Sequence, residues 1–266
     1  MIIDSHCHAG KGDGLTAPAD TDAPLGRYLS WARAAGIDRT VIFPAFADDY
    51  RRANRAIARM VATLPDRLIG FAFIHPAADK GRVEAMVAEA VGPLGLVGIK
   101  VHRHDARITR EICECARRHR LPVLYDVMDE VAIVELLAGE YPDVSFIIPH
   151  LGSFADNWRV QLALIDHLER HPNVYTDTAG VRRFDLLEQA VRRAGAHKVL
   201  FGSDGPWLHP RVELAKVQAL EISEPDRALI LGGNLLRLLG PARAPVHAMG
   251  SLAQSDSASA AVFGRF

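Results

Sequence analysis

The chain lacks most of the features that assign a protein quickly. Its three cysteines, Cys7, Cys113 and Cys115, are odd in number and have no framework spacing. That excludes a disulfide scaffold and predicts reduced thiols in a cytoplasmic protein. Cys113 and Cys115 stand two apart in a helical pattern, face different ways and are expected to pack. Charge of one sign is missing as well: 31 Lys and Arg meet 32 Asp and Glu, for a formal net charge of -1. With no basic excess to neutralise phosphates, neither nucleic acid nor an acidic membrane surface is an expected partner. No apolar run approaches membrane-spanning length, and no basic leader precedes one. No Gly-x-Gly-x-x-Gly turn follows the first apolar run, and the glycine-rich GKGDG at Gly10 lacks the Lys-Ser or Lys-Thr ending of a phosphate loop, so it is expected to be a mobile loop. A Gly-x-Ser-x-Gly nucleophile turn is absent too, which argues against a serine hydrolase. A small-molecule ligand is the expectation that remains.

Turning to what the chain contains, 49% hydrophobic and 24% charged residues in 266 describe an ordinary globular protein able to bury a sizeable core. Short runs rich in Val, Ile and Phe alternate with longer amphipathic stretches from end to end. Eight candidate strands begin at Ile2, Thr40, Ile69, Val97, Pro122, Ser145, Val174 and Lys198. Helical patterns lie between them, such as RRANRAIARMVATL from Arg51 and FDLLEQAVRRAG from Phe184, the second stopping on Gly195. Eight strand-plus-helix units in this length predict a single α/β domain of the (β/α)8 TIM-barrel class over residues 1–240. Beyond it the composition shifts to Ala, Ser, Pro and Gly, and residues 241–266 are expected to be a flexible or docking tail.

Barrel chemistry sits at the C-terminal ends of the strands, so the informative residues are those that end each apolar run. Strand one ends in His6 and His8, strand four in Lys100 with His102, strand five in Asp126, strand six in His150 and strand eight in Asp204. Residues two apart on a strand share a face, so His6 and His8 can converge on one point while Ser5 and Cys7 face the helices. The same parity groups Lys100 with Gly98 and His102, His150 with Ile148, and Asp204 with Gly202. Burying such groups unpaired would cost roughly 2–7 kcal/mol each, so they need one another or a cation. Nitrogen and oxygen ligands from separate strands suit zinc or a similar divalent ion with one position left for water, whose pKa it can lower towards ~7. Asp204 could bind that ion and take the proton from its water.

Six motifs then occur in order: DSHCH at Asp4, VGIKVH at Val97, LPVLYD at Leu121, PHLG at Pro149, LFGSDGPW at Leu200 and ILGGNLLRLL at Ile230. On these the chain resembles the amidohydrolase superfamily, in the amidohydrolase-related (family 2) branch of metal-dependent hydrolases and non-oxidative decarboxylases, over nearly its whole length up to Leu239. The resemblance implies that His6, His8 and Asp204 ligate metal, with Asp204 as proton shuttle. It implies that His150 either binds a second metal or orients water and polarises the substrate carbonyl. Lys100 matches the position of a carboxylated lysine bridging two ions, or else binds a substrate carboxylate. One position departs from the pattern: LPVLYD ends in Asp126 where the family usually carries a ligating histidine. Asp126 either ligates through oxygen or marks a site that has lost its metal, as in some lactonases of the superfamily.

The remaining polar residues have plainer readings. His119, His167, His171 and His197 lie on helices beside Arg, Glu and Lys and are expected to be solvated. His75 before Pro76 suits either a turn or the pocket mouth, and Asn234 suits a helix cap. His102 and Trp207 are expected to line the pocket, with Arg103, His104 and His209 in the loops that set specificity. The expected function is hydrolysis of a small carboxylate-bearing substrate by metal-activated water, with zinc first and manganese second, and one or two ions. Non-oxidative decarboxylation of an aromatic or unsaturated acid, metal-independent lactone opening, and a catalytically dead binding barrel are the alternatives. A homodimer is expected only because barrel outer helices often pair.

Overall fold

The computed structural model describes residues 1–12 and 22–240. The expected tail at 241–266 and most of the loop that GKGDG opens lie outside the described residues. The strands are β1 (Ile3–Ala9), β2 (Arg39–Pro44), β3 (Leu68–Gly70), β4 (Ala72–Phe73), β5 (Ile99–His102), β6 (Val123–Asp126), β7 (Phe146–Ile148), β8 (Val174–Asp177) and β9 (Val199–Leu200). The helices are α1 (Leu25–Ala34), α2 (Tyr50–Thr63), α3 (Val83–Val91), α4 (Arg110–His119), α5 (Ile133–Glu140), α6 (Trp158–Arg170), α7 (Phe184–Ala194), α8 (Pro210–Ala219), α9 (Glu224–Ala228) and α10 (Asn234–Leu239). Each stave is followed by one of α1 to α8, as a parallel barrel requires, because a crossover helix must return the chain to the same end.

All pairings are parallel, in the orders β1-β2-β3 and β4 through β9. Two seams join these sheets into one ring. At the first, the third apolar run is one stave in two pieces, broken at Phe71, whose N–H donates to Ile42 O at 2.9 Å. Asn54 of α2 repairs the break: its side chain donates to Phe73 O at 2.9 Å and accepts from Phe73 N–H at 2.8 Å, supplying the partner a continuous strand would have given. At the second seam, Ser5 N–H donates to Phe201 O at 2.9 Å and His8 N–H to Gly205 O at 2.7 Å, tying β1 to the segment beyond β9.

The expected helices form where the periodicity placed them. Asp49 caps α2 by accepting from Arg52 N–H, and α7 stops before Gly195. Two of the plainer readings change, those of His167 and Asn234, and His75 takes the turn role of its two alternatives. His167 is buried rather than solvated, against Glu135 and Arg170, whose guanidinium is the cation for that group. His75 serves a turn, its Nδ1 accepting from Ala77 and Ala78 N–H. Asn234 is not a cap: its buried amide donates to Ala196 O and Val199 O at 2.8 and 2.7 Å, latching α10 to β9. No helix among the described residues is long and apolar enough to cross a membrane.

Truncating Asn54 to alanine strands both backbone groups of Phe73 in the core. Asn54→Ala should lower the unfolding free energy by about 2–4 kcal/mol, read from urea denaturation. A loss below about 0.5 kcal/mol would remove the repair from the fold.

Candidate functional site

The C-terminal ends of the staves surround a cavity of about 540 Å³. At its inner end, His6 and His8 project from β1, two residues apart as the pleat requires, and both are buried. Their tautomers follow from what holds them. His6 Nδ1 lies 2.7 Å from Asp177 Oδ2, and His8 Nδ1 lies 3.0 Å from Pro44 O, so each Nδ1 carries the hydrogen and each Nε2 is left with a lone pair. Those lone pairs are aimed at one oxygen: Asp204 Oδ1 is 3.3 Å from His6 Nε2 and 3.6 Å from His8 Nε2. His6 Nε2 is buried with no hydrogen-bond partner.

Three acceptors at such separations repel unless a positive species lies among them. In a tetrahedral site with bonds of about 2.0–2.2 Å, ligand atoms stand about 3.4 Å apart, which is the spacing found here. His6, His8 and Asp204 could therefore hold a divalent ion without rearrangement, and their ligand atoms all lie within 4.8 Å of one another. Burial lowers the His8 pKa well below the ordinary imidazole value, keeping its lone pair available. Burial and Lys100 pull the His6 pKa down, but Asp177 and Asp204 outweigh them and raise it, so the carboxylates around this imidazole favour positive charge at the trio. Burial pushes the Asp204 carboxyl up, yet the three surrounding imidazoles hold it below the usual range.

Strand parity does not place the other two site residues on loops. β7 ends at Ile148 and β9 at Leu200, and His150 and Asp204 lie beyond them with left-handed backbone, φ 60° and 54°. His150 Nδ1 donates to Ala179 O at 2.7 Å, and its Nε2 faces Asp126 Oδ2 at 3.4 Å. Both nitrogens thus face acceptors, an arrangement that favours the charged imidazolium. Burial opposes that charge, but Asp126, with Asp204 and Asp177, raises the His150 pKa to about 9. Asp126 also meets His102 Nε2 at 3.1 Å and accepts from Met128 N–H at 2.9 Å. Its carboxylate and His150 face each other beside the trio; neither belongs to the set of ligand atoms that converge.

Lys100 lies one pleat repeat below His102 on β5, fully buried. Its Nζ has no hydrogen-bond partner and sits 5.0 Å from the Phe43 ring centre. Burial lowers its pKa against the fields of Asp126, Asp204 and Asp177. It does not line the cavity, so the expected contact with a substrate carboxylate has no opening here: the barrel floor closes over it. His102 and Trp207 do line the cavity, as does His104, while Arg103 is turned to Glu130 and His209 caps α8.

Asp177 went unnoticed in VYTDT, although it ends β8 just as Asp126 ends β6 and the same test would have found it. It fixes the His6 imidazole and also accepts from the backbone N–H groups of His150 at 3.2 Å and Ala179 at 3.1 Å, so one carboxylate holds the first ring and the chain that carries the second. Gly202 lets them meet: a Cβ there would lie 3.0 Å from His6 Cβ and 3.1 Å from Asp177 Cγ. Phe46, Met128 and Phe154 complete an apolar wall whose residue types carry no chemical signature in the sequence. Phe46 and Trp207 present nearly parallel rings, 8° apart in tilt with centres 6.2 Å apart.

A family model described as amidohydrolase matches residues 3–240. The chain belongs to the amidohydrolase family. A search of curated proteins finds no match to this amidohydrolase. Solved structures share its TIM-barrel fold. 5-Carboxyvanillate decarboxylase from Sphingomonas paucimobilis is 15% identical, with 90% of this chain and 98% of that chain covered and a TM-score of 0.68. 2,6-Dihydroxybenzoate decarboxylase from Rhizobium is 19% identical, with 90% and 98% covered and a TM-score of 0.67. Dihydroxybenzoic acid decarboxylase from a Polaromonas species, with bound manganese and the inhibitor 2-nitroresorcinol, is 19% identical, with 90% and 96% covered and a TM-score of 0.67.

The hydrogen bond from His6 to Asp177 gives a direct test. Asp177→Asn should weaken manganese binding ~10–100-fold in a chelator competition while the protein stays folded by circular dichroism. Unchanged affinity would show that His6 needs no such support.

Proposed function

We propose that this amidohydrolase is a divalent-metal-dependent enzyme that removes carbon dioxide, without oxidation, from a small aromatic or unsaturated carboxylic acid. One juxtaposition carries the reading: an acceptor trio that calls for a cation stands beside an imidazole that faces acceptors from both nitrogens. His6, His8 and Asp204 would hold the ion. Manganese is favoured over the zinc expected from sequence, because solved neighbours contain it. When bound, such an ion supplies a Lewis-acid site for substrate oxygens. Hydrolysis would require Asp204 to take a proton from water as well as hold the ion, whereas His150, beside the trio, is placed to give one.

Decarboxylation balances on these residues. The bond between the carboxylate and its carbon breaks, carbon dioxide leaves uncharged, and the carbon keeps the electron pair and takes one proton. His150 Nε2 supplies that proton, and Asp126 balances the imidazolium charge until it is used. Solvent restores the proton through the open mouth. The near-parallel rings of Phe46 and Trp207 suit a flat ring and keep water from the reacting carbon. Lys100 acts as a buried counter-charge to Asp126, Asp204 and Asp177 rather than as a ligand. The decarboxylase neighbours support the reaction class rather than a particular acid. Free, buried cysteines accord with a cytoplasmic setting.

With manganese-loaded protein and a panel of hydroxybenzoates, carbon dioxide should be released, and in heavy water the vacated carbon should carry deuterium. Release of no carbon dioxide, together with hydrolysis of a lactone, ester or amide, would return the site to hydrolytic chemistry. Asp204→Asn and His150→Gln should each lower turnover at least ~10²-fold; near-normal turnover would remove that residue from the mechanism. A chelator should abolish activity and manganese restore it, whereas activity that survives chelation would exclude the metal.

A further inference from the structure

The loop after β6 brings to the cavity an acidic residue, Asp129, that the chemistry above does not use. Met128 and Asp129 both hold left-handed backbone there, φ 44° and 71°. Aspartate visits that region readily and methionine does not, so the loop's hydrogen bonds, not residue preference, set its shape. Met128 N–H donates to Asp126 Oδ1 at 2.9 Å, Asp129 N–H to Gly152 O at 3.0 Å, and Val131 N–H to Asp129 O at 2.9 Å. These bonds use the N–H and C=O of Asp129, and the exposed residue lines the cavity beside the apolar Met128 and Phe154.

No cation answers it. Among the described residues, no lysine or arginine lines the cavity. The two arginines nearest in the β5–α4 connection, Arg103 and Arg107, both pair with Glu130, at 2.7 and 2.8 Å. Lys100 lies sealed beneath the floor. Positive charge for an acidic ligand is therefore confined to the inner end of the pocket, at the acceptor trio and His150, while the outer part offers a carboxylate.

We infer that Asp129 determines specificity: the pocket takes an acid with one carboxylate, welcomes a hydroxyl or amino group towards the mouth, and turns away a second carboxylate. This rests on the proposal that the ligand is a small aromatic or unsaturated acid. Asp129 accepts a hydrogen bond from the outer substituent of an accepted ligand. A dicarboxylate instead meets a like charge with no lysine or arginine in the cavity lining to offset it.

The test compares binding, not turnover, by calorimetry on manganese-loaded protein, above the pH range in which exposed imidazoles titrate. The probes are two matched pairs, 4-hydroxybenzoate against terephthalate and 3-hydroxybenzoate against isophthalate. In each pair the hydroxy acid should bind ~10-fold tighter or better, given one like-charge contact at intermediate dielectric. Asp129→Asn should narrow the ratio and Asp129→Lys should reverse it. Equal binding within both pairs, or ratios unmoved in both variants, overturns the inference even if carbon dioxide is released from hydroxybenzoates. Failure of every probe to bind, with no carbon dioxide from any acid, overturns the reading of the pocket as well.

Discussion

Two imidazole lone pairs and a carboxylate oxygen held within van der Waals contact, with no hydrogen between them, are the constraint on which the rest of this barrel's mouth depends. Such a group is stable only around a cation, and the chain spends much of its polar architecture keeping it open for one. Pro44 O and Asp177 take the Nδ1 hydrogens, so neither histidine can turn its lone pair away. The seam that closes the barrel serves the same end, because His8 N–H bonds to Gly205 O and so fixes β1 against the turn that carries Asp204. Closure of the fold and assembly of the site are one event.

Behind that trio lies a second layer of charge. Asp4, buried near the start of β1, receives hydrogen bonds from Tyr28 Oη at 2.6 Å, from Ser203 N–H at 2.9 Å and from the Ser203 hydroxyl, and is pushed up to about 6 by burial. It locks the residue next to Asp204 to the first strand. Lys100 lies in the fields of Asp126, Asp204 and Asp177, so one buried amine faces three carboxylates. Asp126 explains how the family pattern can lose a histidine without the site collapsing. The carboxylate faces His102 and His150 instead of joining the converging ligand atoms, which turns a ligand position into a partner for a proton donor.

Much of this was legible in the primary structure, for identifiable reasons. Alternating apolar runs and amphipathic stretches specify a parallel sheet covered by helices, and eight such units in this length favour the closed barrel over an open sheet. The rule that barrel chemistry follows strand ends leads to His6, His8, Asp126, His150 and Asp204. Parity failed where the strands stop: the left-handed backbone at His150 and Asp204 is not encoded by glycine, so only the surrounding hydrogen bonds reveal it. The split in the third stave was hidden too, since Phe71 continues the apolar run it interrupts. Lys100 sits at the right place in a strand but one repeat too deep to reach the cavity. Asp129, like Phe46 and Phe154, gains meaning only from the fold that brings it to the mouth.

X-ray absorption of zinc-loaded protein tests the central claim most directly, since it counts imidazoles around the ion. Two imidazole nitrogens at about 2.0–2.1 Å with oxygen completing the shell is the result expected for His6, His8 and Asp204. A shell without imidazole scattering, or with three imidazoles, would contradict the trio as the metal centre.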